Sequence, residues 1–161
     1  MSRNILSAKK LFFCDVMLGR LAKHLRMLGF DTAYERTVTE ELLTDVLKKE
    51  QRILLTRTKN NFRYRLGAPC YFITSNDPAM QLKDVRMFFN IVLNDCNLFS
   101  RCLVCNSPLE KRDRSLVDGK VPDYVFNTVD SFSQCPDCKK IYWKGTHYTR
   151  MSNSIGRLFH D

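Results

Sequence analysis

The chain has 161 residues, of which 44% are hydrophobic and 27% charged, a balance typical of one or two globular units and not of a disordered segment. Lysine and arginine outnumber aspartate and glutamate by 26 to 17, so the net charge of +9 favours a polyanion as partner. No apolar run approaches the roughly 18 residues of a membrane-spanning helix, and residues 1–8 lack the apolar core of a signal peptide. We therefore expect a soluble intracellular protein with no membrane contact.

The first strong pattern is the apolar run Leu11–Cys14, which predicts a buried strand ending at Asp15. Apolar residues then recur at helical spacing over Leu18–Leu28, and Gly29 is a typical helix stop. A second extended segment is predicted over residues 30–34. A strand followed by an amphipathic helix and another strand is the beginning of a parallel sheet.

The pattern continues with more strands and helices up to residue 93. The predicted elements are a helix beginning near Thr39, a strand over Arg52–Thr56, a basic helix or turn over Lys59–Leu66, a strand over Cys70–Ile73 and a helix over Pro78–Leu93. This alternation predicts an α/β fold, with a parallel sheet flanked by helices. In such sheets, functional residues collect at the carboxyl ends of the strands.

Four of the seven cysteines form two Cys-x-x-Cys pairs after residue 100, namely Cys102, Cys105, Cys135 and Cys138. Four thiolates in two such pairs can enclose a tetrahedral ion, which favours structural zinc, although iron and a redox pair are the alternatives. Strand-like segments at Val121–Val129 and Ile141–Trp143 lie between and after the pairs. The second part of the chain is therefore predicted to be a four-cysteine zinc ribbon.

Several linked motifs resemble those of the Mut7-C domain family over about residues 10–151. They are Asp15–Ala22, Leu25–Asp31, Arg52–Arg57, Ser100–Asn106, Val121-Pro122 and Tyr142–Tyr148. The resemblance implies a PIN-like ribonuclease domain over residues 10–98 and a zinc ribbon over 99–151, with 152–161 as a tail. The family occurs alone in prokaryotes and at the C-terminus of animal mutator-type 3′ to 5′ exoribonucleases of small-RNA silencing. We expect the animal arrangement, in which this chain is part of a longer protein.

The resemblance also implies a nuclease centre, because PIN-like nucleases hold Mg²⁺ or Mn²⁺ with three or four carboxylates. Asp15 matches the first of these acids, and Glu40 or Glu41, with Glu41 preferred, stands where a second would, although an acid there also suits a helix start. The family commonly reads Thr-Arg-Asp where this chain reads Thr56-Arg57-Thr58. Asp77 is a candidate replacement, and a turn aspartate is the alternative. The predicted catalytic set is Asp15, Glu41 and Asp77, in a centre expected to be degraded.

Two basic segments with interleaved aromatic rings predict contacts with single-stranded RNA, because cations bind phosphates and rings stack on unpaired bases. The predicted contacts are Arg52, Arg57, Lys59, Arg63, Arg65, Lys140, Lys144 and Tyr148. A solvated surface is the alternative for the first segment, and packing of the small ribbon is the alternative for Trp143 and Tyr148.

The leading hypothesis is an RNA-binding and protein-docking domain of an exoribonuclease in small-RNA silencing, cytoplasmic and possibly perinuclear. The alternatives are an active divalent-metal-dependent ribonuclease and a protein-interaction platform that never contacts RNA. An exposed apolar patch on the helix Met80–Leu93 would favour the platform.

Overall fold

The computed structural model describes residues 10–37, 39–58 and 67–160. They form two compact units, which divide between Phe99 and Ser100. Within the described residues, no helix is both long and apolar enough to cross a membrane.

The first unit contains a four-stranded sheet in which every pair of neighbouring strands is parallel. Its strands are β1 (Phe12–Cys14), β2 (Thr32–Tyr34), β3 (Ile53–Thr56) and β4 (Cys70–Phe72), in the spatial order β2-β1-β3-β4. The helices are α1 (Gly19–Met27), α2 (Glu40–Glu50) and α3 (Pro78–Phe88). This confirms the predicted α/β class, and the order places β1 and β3 side by side at the centre of the sheet.

The two phenylalanines of β1 show how the sheet is covered on both faces, since successive strand residues point to opposite sides. Phe13 packs with Leu43 and Leu47 of α2 and with Leu54 of β3. Phe12 instead contacts the rings of two residues that follow α1 and α3, which are Phe30 and Phe89. Helix α2 therefore covers one face of the sheet, and the residues that follow α1 and α3 cover the other.

Two backbone turns fix where the helices end. Gly29, with φ of 95°, follows α1, and a Cβ atom there would lie 2.2 Å from the backbone oxygen of Asn97. Asn90, two residues after the end of α3, adopts φ of 48°. The N–H of the next residue, Ile91, donates to the backbone oxygen of Arg86 and closes the helix end. For this reason α3 ends at Phe88, and the helix predicted to continue to Leu93 is shorter than expected.

The second unit contains a three-stranded antiparallel sheet in the order β5-β6-β7. Its elements are β5 (Glu110–Arg112), α4 (Asp123–Thr128), β6 (Phe132–Gln134), β7 (Ile141–Trp143) and α5 (Thr146–His160). The strand predicted at Ile141–Trp143 is confirmed.

The strand predicted over Val121–Val129 is wrong, because most of this segment is the helix α4. The prediction rested on the β-branched residues of this segment, whereas Val125 of α4 packs with Phe132 and with Val117 and Val121, which precede the helix. Helix α5 crosses the boundary set at residue 151, and Ile155 in its last half is buried. The division into residues 10–98, 99–151 and 152–161 otherwise stays a prediction.

Candidate metal centre and sheet-edge site

The two cysteine pairs lie on two turns with the same backbone hydrogen bonds. In the first turn, the N–H of Asn106 donates to the oxygen of Cys102, and the N–H of Cys102 donates to the oxygen of Ser107. In the second, Lys139 and Lys140 make the equivalent bonds with Cys135. The residue four places after the first cysteine has positive φ in both turns, 73° at Asn106 and 61° at Lys139. Each turn therefore folds its two sulfurs toward the same side.

The four sulfur atoms meet in one cluster, all within 4.8 Å of one another. The shortest distances across the two turns are 3.5 Å between the Sγ atoms of Cys102 and Cys138 and 3.2 Å between those of Cys105 and Cys135. Zinc–sulfur bonds of about 2.3 Å in a tetrahedron place the sulfurs about 3.8 Å apart. The cluster therefore has the donor set and spacing to hold a metal ion such as zinc.

Tyr142 of β7 supports this cluster, a role that its position between Ile141 and Trp143 did not reveal in the sequence. Its hydroxyl lies 3.2 Å from the Sγ of Cys102 and accepts a 3.1 Å hydrogen bond from the N–H of Leu103. Groups that hydrogen-bond the ligands of a metal orient them and tune its affinity. Tyr142 thus connects the three-stranded sheet to the first cysteine turn.

The thiols of the cluster differ in acidity. Desolvation opposes ionisation of Cys105, but hydrogen bonds from Ser107 and from neighbouring thiols lower its pKa to about 6. At Cys138, the backbone N–H of Lys140 favours the thiolate, yet desolvation and the neighbouring cysteines raise the pKa to about 12. Four crowded sulfurs resist ionising together, and a divalent ion would supply the charge that lets all four bind as thiolates.

Asp15 lies at the carboxyl end of β1 and is nearly fully buried. One carboxylate oxygen accepts a 2.6 Å hydrogen bond from the N–H of Val16, which begins a short 3-10 turn. The other accepts from the hydroxyls of Thr56 and Thr58, at 2.8 and 3.0 Å. Thr58, where the family resemblance implies an acid, therefore faces the carboxylate and gives it a neutral donor.

The other two predicted catalytic acids are not gathered around Asp15. Asp77 is exposed and caps α3, where its side chain accepts a 2.8 Å hydrogen bond from the N–H of Ala79, and Glu41 is exposed in the first turn of α2. Within the described part of the chain, the four cysteines are the one group of three or more potential metal ligands that lie together. The described residues thus lack a formed carboxylate centre.

Arg52 was predicted to contact RNA, and the structure corrects this. Its side chain is 9% exposed, and the guanidinium donates to Asp31 at 2.7 Å, to Glu50 at 2.5 Å and to the backbone oxygen of Phe12 at 3.1 Å. These bonds connect the start of β3 to β1. A guanidinium held in this way stabilises the sheet, because its donors are already satisfied inside the protein.

The remaining residues predicted to contact RNA differ in how far their side chains are exposed. Arg57 is half-buried, whereas Lys140 and Lys144 are exposed, and the Nζ atom of Lys144 lies 5.8 Å from the ring centroid of Tyr148. Tyr148 is half-buried in the first part of α5. The predicted contacts Lys59, Arg63 and Arg65, and the helix or turn predicted over Lys59–Leu66, lie outside the described residues.

These features define a class of protein, which is a parallel α/β domain followed in the chain by a module whose four clustered cysteines have the donor set for a metal ion. The model of the Mut7-C RNAse domain family matches residues 10–155, and the chain belongs to this family. The match confirms the family that the sequence motifs predicted.

Among curated proteins, the chain is similar to the exonuclease mut-7 homolog of Homo sapiens. The two are 34% identical over 98 residues, which cover 58% of this chain and 11% of that protein. The matched region is thus a small part of the relative's length. No solved structure matches the chain significantly.

Proposed function

We propose that this chain is an RNA-binding and protein-docking domain of an exoribonuclease in small-RNA silencing, with a degraded nuclease centre of its own. Membership of the Mut7-C RNAse domain family and similarity to an exonuclease support the nucleic-acid role. The net charge of +9 supports a polyanionic partner. The proposal includes a cytoplasmic, perinuclear location and a structural Zn²⁺ in the four-cysteine cluster.

The observation that carries the loss of catalysis is the environment of Asp15. Mg²⁺ requires a well-formed shell of oxygen ligands and gives up its waters reluctantly, so it binds where several carboxylates converge. Here the carboxylate of Asp15 accepts from one backbone N–H and two threonine hydroxyls. Since Thr58 adds no negative charge, an ion at this edge of the sheet would meet one acid among the described side chains, where a nuclease gathers several.

Binding and cleavage of single-stranded RNA, measured side by side, test the proposal. The 161-residue protein should bind labelled RNA with the same Kd in buffer containing Mg²⁺, Mn²⁺ or neither, and should leave the RNA intact. The divalent ions are omitted and not chelated, because a chelator would also remove an ion from the cysteines. The Asp15→Asn variant is the control and should bind like the parent.

If the chain is instead an active metal-dependent ribonuclease, we expect the opposite result in the same assay. Cleavage that requires Mg²⁺ or Mn²⁺ and is abolished by Asp15→Asn would establish this enzyme. Failure of the parent to bind RNA at all would instead leave the protein-interaction platform as the function.

The docking part of the proposal rests on exposed apolar side chains along α3 and the turn after it. Met80, Met87 and Phe88 are each more than half exposed, although the ring of Phe88 also stacks on Tyr71 with centroids 4.0 Å apart. Phe89, by contrast, is buried. An exposed apolar patch of this kind typically marks a protein contact.

Charge introduced into this patch tests the docking. Met87→Glu should abolish co-precipitation of silencing-complex proteins with the tagged chain while leaving RNA affinity unchanged. Leu116→Glu is the matched control, because Leu116 is an equally exposed apolar residue of the second unit. Retained association in Met87→Glu would contradict the docking role of α3.

A further inference from the structure

The second unit contains a basic groove of about 640 Å³. Its volume falls within the range of about 300–1,000 Å³ that is typical of small-molecule sites. We define the basic groove by its lining residues, which are Arg112, Lys120, Gln134, Lys139, Lys140, Ile141 and Trp143. Four of these seven are cations, and within the described part of the chain no acid lines the groove.

Strand register explains why residues distant in sequence line one groove. Arg112 is opposite Phe132, which is opposite Trp143, and Gln134 is opposite Ile141. Residues directly opposite one another across an antiparallel sheet share a face, so these side chains occupy one face of the sheet. Tyr142, which contacts the cysteine cluster, is one residue along β7 and belongs to the other face.

Hydrogen bonds hold the side chains of Arg112 and Lys120 in the basic groove without neutralising them. Arg112 Nε donates to the side-chain oxygen of Gln134 at 2.9 Å, and the Gln134 amide donates to the backbone oxygen of Lys139 at 2.8 Å. Lys120 Nζ donates to the backbone oxygen of Leu116 at 2.9 Å. Within the described residues, none of the four cations forms an ion pair with a carboxylate. Their charge is therefore available to an anion.

Trp143 adds a flat apolar surface beside these charges. The indole packs partly against the cluster that includes Val117 and Phe132, is only half-buried, and also lines the basic groove. Gly145 leaves room next to it, since a Cβ atom there would lie 3.0 Å from the indole nitrogen. A ring fixed on one side and accessible on another can stack on an unpaired base.

We propose that the basic groove binds single-stranded RNA, with a base stacked on Trp143 and the neighbouring phosphates held by Arg112, Lys120, Lys139 and Lys140. The inference rests on the RNA-binding role proposed above and adds a defined site in the second unit to the contact predicted at Arg57. Cations alone would suit any polyanion, but cations around an aromatic ring match the alternation of phosphate and base in a single strand. Paired bases are stacked inside a duplex, so duplex RNA would meet the charges and not the ring.

The protein offers a direct reporter, because Trp143 is its single tryptophan. Titration of the 161-residue protein with a short single-stranded oligoribonucleotide should quench the tryptophan fluorescence to saturation. Duplex RNA of the same length should quench it much less. A polyglutamate peptide serves as the probe for an acidic protein partner and should leave the fluorescence unchanged.

Charge reversal then separates the groove from the rest of the basic surface. Arg112→Glu with Lys140→Glu should weaken binding about tenfold or more at low salt. Lys111→Glu is the matched control, because Lys111 is an exposed cation on the opposite face of β5 and its charge change is the same as that of each groove substitution. Trp143→Leu, measured with fluorescently labelled RNA, should weaken binding by roughly 5- to 150-fold, the range for loss of one stacked base. Metal content and thermal unfolding verify that each variant is folded.

The outcomes distinguish this inference from the proposed function. If the parent binds RNA and the Arg112→Glu, Lys140→Glu protein binds it equally well, RNA binds elsewhere and only the groove assignment fails. If the parent binds no RNA, both fail. Quenching by polyglutamate equal to that by RNA would overturn the RNA assignment in favour of an acidic protein segment.

Discussion

At the carboxyl end of β1, two threonine hydroxyls converge on one oxygen of Asp15. Hydrogen bonds to a buried carboxylate stabilise its charged form without the help of a cation. A threonine at residue 58, where the family resemblance implies an acid, would therefore have two consequences. It offers no carboxylate to a metal ion, and it gives Asp15 a neutral donor in place of a cation.

Returning an acid to this position should make the fold depend on a divalent ion. In Thr58→Asp, two carboxylates would stand within a few ångströms of each other, so the free energy of unfolding should fall by about 1–3 kcal/mol without an ion. Mn²⁺ should recover part of the loss. Thermal unfolding with and without Mn²⁺ measures both effects.

Thr58→Asn is the control for that experiment, since it has nearly the same shape as aspartate but no charge. Its unfolding temperature should not respond to Mn²⁺. An equal response in the two variants would show that the ion binds elsewhere.

Arg52 and Arg57 allow a second comparison of single residues. Arg52→Met should lower the free energy of unfolding by about 2–3 kcal/mol, because it removes the guanidinium that pairs with the half-buried carboxylate of Asp31 and donates to the oxygen of Phe12. Its RNA affinity should stay close to that of the parent. Arg57→Met should instead weaken RNA binding and leave the free energy of unfolding close to that of the parent. Chemical denaturation measures the stability of both variants, and titration with RNA measures their affinity.

At the scale of elements, the two cysteine turns are predicted to fold around one metal ion whose coordination shell they complete. Elemental analysis should find about one zinc per chain, because four thiolates complete a tetrahedral shell. Cys102→Ser should lower the metal content and destabilise the second unit. Since the ligands bind as thiolates, acid should release the ion as the pH falls. Stoichiometric iron, or an unchanged fold in Cys102→Ser, would contradict this assignment.

Tyr142→Phe isolates the support that the sheet gives to the metal site. Loss of one hydroxyl removes the hydrogen bond from Leu103 N–H and the contact with the Cys102 sulfur. Zinc affinity, measured by competition with a chromogenic chelator, should fall about 10- to 100-fold. The second unit should stay folded at saturating zinc. Unchanged affinity would show that the hydroxyl does not support the cluster.

The elements differ in how far the sequence predicts them. The strands of the parallel sheet are short, mostly apolar runs, and their pattern is sufficient to predict both the sheet and the position of Asp15 at the end of the first strand. Helix α4 differs from the predicted strand because valine favours strands, and a helix of six residues with one buried side chain is too short to show a helical repeat. Helix α5 was missed beyond residue 151, although Met151, Ile155 and Phe159 repeat every four residues.

The candidate sites show the same division. The Cys-x-x-Cys spacing predicts which four residues meet, because each pair is local in sequence. The partners of Arg52 and the lining of the basic groove could not be predicted from the sequence, since both depend on contacts between residues distant in the chain. Composition identifies which residues are charged, and only the tertiary structure shows whether a charge is paired inside the fold.

For the whole molecule, the excess of cations predicts salt-dependent binding. Each phosphate contact releases bound counterions, so log K should fall against log salt with a slope of about −0.7 per contact for a single strand. Four contacts from the basic groove would give a slope of about −2.8. Titrations at several salt concentrations measure it, and Arg112→Glu should make the slope less steep. An affinity indifferent to salt would exclude a phosphate-based interaction.

Adjacent side chains of β7 point to opposite sides of one sheet, Tyr142 to the cysteine cluster and Trp143 to the basic groove. If RNA binds in that groove, the two ligands share a strand, and their binding equilibria become linked. Linkage is reciprocal. By whatever factor an ion among the cysteines strengthens RNA binding, bound RNA must strengthen the binding of that ion by the same factor, as measured by competition with a chelator at equilibrium. The RNA-bound protein would then keep its metal ion at a chelator concentration that removes the ion from the free protein.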